Sequence, residues 1–185
     1  MNFPREGIRT KHFLLRPILI EDSEILWDYQ LRNRAHLKPW EPLRDDAFYT
    51  LNAVRQRLAE MTRQMDTNQA LYLVLIDPEC GQMLGECNFT HIMRGAFNAC
   101  YLGFSLDQKA QGKGLMREAL QLAIKHMFEV EQLHRIMANY RPENTRSGSV
   151  LKRLGFEEEG RARAYLKING QWADHILTAL INDRL

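Results

Sequence analysis

A strand, a glycine-bearing turn and an apolar helix follow one another between Phe97 and Val130, and no other stretch restricts the fold as much. The strand reads Phe97 to Leu106, and the turn runs from Gln108 to Gly114. Residues Gln111, Gly112, Lys113 and Gly114 leave backbone N–H groups unpaired where the helix begins, and aligned peptide dipoles place about half a positive charge there. A strand followed by such a turn suits an anion, most often a phosphate. Gly112 and Gly114 let the main chain come close to it, because neither carries a Cβ. Spacing excludes two phosphate loops. A P-loop needs glycine in place of Asp107 and Ser or Thr in place of Gly114. A dinucleotide fingerprint needs a small residue where Arg117 stands.

At 185 residues the chain fits one domain, residues 1–185, with a full hydrophobic core. A formal net charge of +2 excludes a protein that coats polyanions and leaves no basis for specific DNA binding, so any nucleic-acid contact is local. Cys80, Cys87 and Cys100 form no Cys-x-x-Cys pair and are odd in number, as in a reducing compartment. Met1 to Glu6 lacks an apolar signal core, and no stretch reaches the roughly 18 uncharged apolar residues of a membrane span. A soluble cytoplasmic protein, monomer or dimer, without metal, is the expectation.

Periodicity supplies the elements. Ile8 to Arg16 reads as a first strand stopped by Pro17, and Ile25, Leu26 and Tyr29 share a helix face behind the acids Glu21 and Asp22. Leu37 to Pro42 is a stiff loop with two prolines around Trp40, serving as a buried anchor or a substrate-facing wall. Leu51, Val54, Leu58, Met61 and Met65 recur at helical spacing. Leu71 to Ile76 and Met83 to Ile92 read as strands that pair back to back with the Phe97 strand. Arg135 to Asn139 follows the central helix as a parallel strand, Asn144 starts a short helix that Gly155 ends, and Asn169-Gly170 joins a final hairpin. The fold class is α/β (α+β), a mixed, mostly antiparallel sheet of about seven strands with about four helices.

Lys109-Ala110-Gln111-Gly112-Lys113-Gly114 resembles the acyl-CoA pyrophosphate loop of the GNAT acetyltransferases, with Lys109 in place of the usual Gln or Arg. Asn144-Thr145-Arg146-Ser147 followed by Leu154-Gly155-Phe156 resembles a second segment of that superfamily. Leu37 to Pro42, Met93-Arg94-Gly95, Ala99 to Gly103, His134 to Tyr140 and Asn169 to Trp172 are similar to the RimJ/RimL-type ribosomal-protein alanine N-acetyltransferases, closest to the RimJ type. The resemblance implies a GNAT fold with splayed central strands, acetyl-CoA as co-substrate, and an acceptor that is the α-amino group of an N-terminal alanine, on protein five of the small ribosomal subunit. It also implies that pantetheine lies along Leu102, Gly103, Phe104 and Ser105, that amides of Gln111 to Leu115 and Met116 take the pyrophosphate, and that Asn144 bonds the pantetheine amide.

A thioester is already activated, so the chain needs no nucleophile; it must hold the donor, admit a neutral amine and stabilise the leaving thiolate. Glu86, interrupting an apolar strand, is the candidate base, with His91, Asp174 and His175 as alternatives. Ser147 is the candidate partner of the departing sulfur, with Tyr140 competing. Trp40, Glu41 and Trp172 line the acceptor slot. Two other readings stay open: acetylation of a small amine such as a polyamine, favoured by an acid-lined pocket, and a non-catalytic ribosome-assembly factor whose Arg141, Arg146, Arg153, Arg161 and Arg163 meet RNA phosphates in the pre-ribosome.

Overall fold

The computed structural model describes residues 2–183. Eight strands form one sheet: β1 Ile8–Arg9, β2 Leu14–Pro17, β3 Leu71–Ile76, β4 Met83–Met93, β5 Ala99–Leu106, β6 Arg135–Tyr140, β7 Glu157–Ile168 and β8 Gln171–Ile181. Four α-helices accompany them: α1 Ser23–Leu37, α2 Leu51–Asp66, α3 Leu115–Glu129 and α4 Thr145–Arg153. The order across the sheet is β1-β2-β3-β4-β5-β6-β8-β7, and every neighbouring pair is antiparallel except β5 and β6.

The expected first strand is in fact a small hairpin, which accounts for eight strands where about seven were expected. The Thr10 hydroxyl accepts from the amides of His12 and Phe13, closing a turn at the polar stretch Thr10-Lys11-His12. The loop from Leu37 to Trp40 is also tighter than expected. Lys38 to Trp40 form a 3₁₀ turn with Pro39 near its start, where the missing N–H has no partner to lose. Other local signals hold: Gly155 ends α4 at φ 89°, and Asn169 and Gly170 both take positive φ between β7 and β8.

Two apolar clusters sandwich the sheet. Leu71, Leu73, Cys87, Phe89, Cys100 and Leu102 face α3 through Met116, Leu120 and Met127. On the other face Val74, Ile76 and Met83 pack with Leu26 and Tyr29 of α1 and with Val54 and Leu58 of α2. The alternation of β4 thus sends Cys87 and Phe89 to the first cluster, while Glu86, opposite Val74 on β3 and Ser105 on β5, turns toward α1 and α2.

Candidate active site

The parallel pairing of β5 with β6 is short. It covers Ala99, Cys100 and Tyr101 against Arg135, Ile136 and Met137, and beyond that point the strands share no ladder. Leu102 to Leu106 of β5 therefore carry unpaired main-chain groups toward β6, as an edge strand does. A Cβ built on Gly103, in this opened part, meets no atom within 4 Å. An extended ligand bearing amides can occupy this gap as though it were one more strand.

At the end of β5 the turn is held from α1. The buried Asp107 carboxylate accepts from the Lys109 amide at 2.8 Å, from Asn33 Nδ2 at 3.0 Å and from Arg32. Burial pushes the Asp107 carboxyl up, but the Asn33, Lys109 and Arg32 donors outweigh it and leave it below the usual carboxylate range. Asn33 Oδ1 in turn accepts from the Gln108 amide at 3.0 Å. The chain then passes through Gly112 and Gly114, at φ 77° and 78°, with open space where a Cβ would stand. Gly114 is the N-cap of α3, and no side chain caps the helix start. Those first amides are left facing a cavity.

That cavity, about 520 Å³, joins the two ends of the site. Phe104, Ser105, Gln111, Gly112, Gly114, Leu115 and Met116 line it from β5, the turn and α3; Asn144 and Ser147 line it from α4; Trp40 and Glu41 line it from the loop after α1. These are the residues the sequence singles out, drawn from four separate parts of the chain. Arg117, Arg146 and Arg153 also line it, and none of the three has a carboxylate partner among the described residues. They are the charge complement a polyphosphate requires.

The remaining expected residues lie as follows. Lys113 is exposed and Trp172 is 66% exposed; neither lines the cavity. Leu102 points into the core and Gly103 lies outside the lining, so any contribution from this pair comes through the main chain. Asn144 Oδ1 accepts from the Ser147 amide at 3.2 Å, so its carbonyl caps α4. The Arg cluster divides: Arg161 pairs with Asp174, Arg141 donates to the carbonyl of Pro39, and Arg146 and Arg153 turn into the cavity. Of the alternative bases, Asp174 is held by Arg161 and His175 Nδ1 lies 3.0 Å from the Ala173 carbonyl. His91 is exposed on the far part of β4, where its ring contacts Tyr101. Tyr140 packs its ring on Gly148, where a Cβ would meet it at 2.7 Å.

Glu86 is enclosed deep under α1 and α2 although part of its surface is still accessible. It accepts from Ser105 Oγ at 3.2 Å, and Ser105 Oγ lies 2.9 Å from the Tyr29 hydroxyl. Burial raises the Glu86 carboxyl above its ordinary value, against the lowering effect of Asn88, Ser105 and the Arg57 charge. Glu41 is raised as well, first by burial and then by the Glu86 charge, with Arg44 opposing. The loop carrying Glu41 is clamped by the final hairpin: the Asn169 amide donates to the Glu41 carbonyl at 2.8 Å. Sequence reasoning missed His36, Gln111's side-chain role and Tyr29. Gln111 bridges His36, at 2.9 Å, and Arg146, tying the phosphate turn to both flanking helices. No local motif marks such long-range partners.

The thiols do not serve as nucleophiles. Burial pushes Cys100 up to about 12 and Cys87 higher still, so neither supplies thiolate at neutral pH. A helix start with bare amides, an open stretch beside β5 and Glu41 thus share one cavity, an arrangement suited to direct acyl transfer.

The Acetyltransferase (GNAT) domain family matches residues 12–157, and the chain belongs to that family. At higher resolution of kinship, the [ribosomal protein uS5]-alanine N-acetyltransferase of Escherichia coli (strain K12) is 47% identical over 179 residues, which is 97% of this chain and 92% of the relative. The crystal structure of ribosomal-protein-S5-alanine acetyltransferase from Vibrio fischeri superposes with a TM-score of 0.92 at 44% identity, over 96% of this chain and 97% of the other. Mycobacterium smegmatis RimJ, solved in complex with CoA-disulfide, superposes with a TM-score of 0.88 at 29% identity, over 98% and 85% of the two chains.

Proposed function

We propose that this chain transfers the acetyl group of acetyl-CoA to the α-amino group of an N-terminal alanine, with ribosomal protein uS5 as the acceptor, in the cytoplasm. The observation that carries the reading is the single cavity running from the α3 amides to Glu41 along the unpaired stretch of β5. The residues fit the donor: amides of Gly112 to Met116 and the guanidinium groups of Arg117, Arg146 and Arg153 take the phosphates, and Leu102 to Ser105 offer the main-chain edge for the pantetheine amides. When bound, acetyl-CoA supplies an activated acyl group. On this reading Ser147, which lines the cavity, hydrogen-bonds the departing sulfur.

An α-amine has a pKa of about 7.7 to 8.0, so a sizeable minority is neutral at pH 7 and a weak base suffices. Glu86 is that base and Glu41 attracts the incoming ammonium. The carboxylates are balanced by Arg44 and Arg57, whose charges act on Glu41 and Glu86 respectively. A polyamine receptor needs an excess of acid, so this balance supports a monocationic acceptor over a small polyamine. Arg146 and Arg153, facing the cavity, are engaged in catalysis on this reading, which leaves fewer cations for RNA and makes any pre-ribosome contact secondary to the enzyme.

The test is incubation with acetyl-CoA and peptides beginning Ala-His or Ser-Ile, followed by mass spectrometry. One acetyl on the α-amine of the alanine peptide is expected; no gain on any α-amine rejects the proposal.

A further inference from the structure

Glu86 does not line the cavity, whereas Ser105 does. Ser105 thus stands between the cavity and the carboxylate it is bonded to. A hydroxyl has one hydrogen and two lone pairs. The Ser105 hydrogen goes to Glu86 Oε1 at 3.2 Å. The Tyr29 oxygen lies 2.9 Å from Ser105 Oγ, and Tyr29 is almost fully buried, with 1% of its surface accessible. Burial pushes the Tyr29 hydroxyl well above its ordinary value, so it keeps its proton and donates to Ser105. One lone pair on Ser105 Oγ then remains.

The geometry points to Ser105 as a catalytic relay: its hydroxyl takes a proton from the acceptor nitrogen while passing its own to Glu86, with Tyr29 fixing its orientation. This rests on the proposed acetyl transfer. The nitrogen forms its bond to the thioester carbonyl carbon, and the C–S bond breaks. The N–H proton moves to Ser105 Oγ, the Ser105 proton moves to Glu86 Oε1, and the leaving thiolate, hydrogen-bonded by Ser147, takes its proton from water. Glu86 returns its proton to solvent before the next turnover. The titratable groups facing Glu86 are Arg57 from α2, Tyr29 from α1, Glu41 from the loop after α1 and Tyr72 from β3, while its chain neighbour Cys87 lies on the opposite face of β4.

Kinetics of the full-length chain with acetyl-CoA and an alanine-initiated peptide test the relay. Ser105→Ala and Glu86→Gln are each expected to lower kcat by about 100-fold, the usual weight of a positioned base. Their double variant should be no slower than the slower single, because the two act on one proton. Ser105→Thr, which restores a hydroxyl, should recover most of the rate. The KM for acetyl-CoA should stay within about threefold of wild type in the alanine variant, and the solvent deuterium isotope effect on kcat should shrink with Ser105→Ala and reappear with Ser105→Thr. A Ser105→Ala enzyme with wild-type kcat, or a double variant that shows the product of the two losses, overturns the relay. A wild-type chain that acetylates no α-amine overturns the proposed function instead.

Discussion

Asp107 shows how one buried carboxylate positions a binding turn. Replacing it with Ala takes the shared acceptor from three donors, although Arg32 keeps Asp28 and the Met83 carbonyl and Asn33 keeps the Tyr29 carbonyl, at a cost of about 1 to 3 kcal/mol. Thermal unfolding should show the loss and calorimetry a weakened affinity for acetyl-CoA. Because the native carboxyl lies below the ordinary value of about 3.9, its contribution is complete above that pH and disappears as pH falls further through the native value. Wild-type stability should therefore fall below about pH 4 more steeply than that of Asp107→Asn. Gly85 offers a second test, since a Cβ there would stand 2.6 Å from the Ser105 carbonyl oxygen. Gly85→Ala should cost about 1 to 3 kcal/mol and lower kcat with it, by shifting Ser105. The Asp107 role was invisible in the sequence, because its partners Arg32 and Asn33 lie 75 and 74 positions away. Glu86 was legible for the opposite reason: an acid amid apolar strand residues declares itself locally.

At the scale of elements, the site depends on strands that part and a helix whose first amides stay bare. The strand-turn-helix from β5 to α3 could be read directly, because Gly112, Gly114 and the apolar face of α3 are local signals. The splitting of β1 from β2 could not be, since Thr10-Lys11-His12 carries no glycine, proline or Asn-Gly to mark the turn that the Thr10 hydroxyl closes. Nor could the fate of Trp172: a large aromatic beside a hairpin turn reads as a contact residue, and its burial depends on what lies opposite. It is exposed and away from the cavity. Trp172→Ala should thus leave Tm and the KM for acetyl-CoA unchanged, and any effect should fall on the KM of the peptide acceptor. The hairpin's other contact runs through the main chain, from the Asn169 amide to the Glu41 carbonyl. Moving that turn should disturb the acceptor side while sparing the phosphate side.

For the whole molecule, charge and space are divided between two ends of one cavity. Arg117, Arg146 and Arg153, without a carboxylate partner among the described residues, line the cavity beside the start of α3, while Glu41 lines it from the loop after α1, with Glu86 behind Ser105 and Arg44 and Arg57 balancing the two acids. Affinity for acetyl-CoA should fall as salt is raised, because exposed charge pairs are screened over about 8 to 10 Å at ionic strengths near 0.1 M. Acceptor affinity, set by one enclosed ammonium, should respond less. On the proposed reading, bare amides at the start of α3 hold a diphosphate while the gap beyond Tyr101 and Met137 receives its thioester arm. The decisive measurement is a crystal structure of this chain with coenzyme A. Diphosphate oxygens are expected about 2.7 to 3.2 Å from amides between Gly112 and Met116, with pantetheine amides bonded to the β5 edge. Coenzyme A bound elsewhere, with side chains closing the gap between β5 and β6, would contradict it.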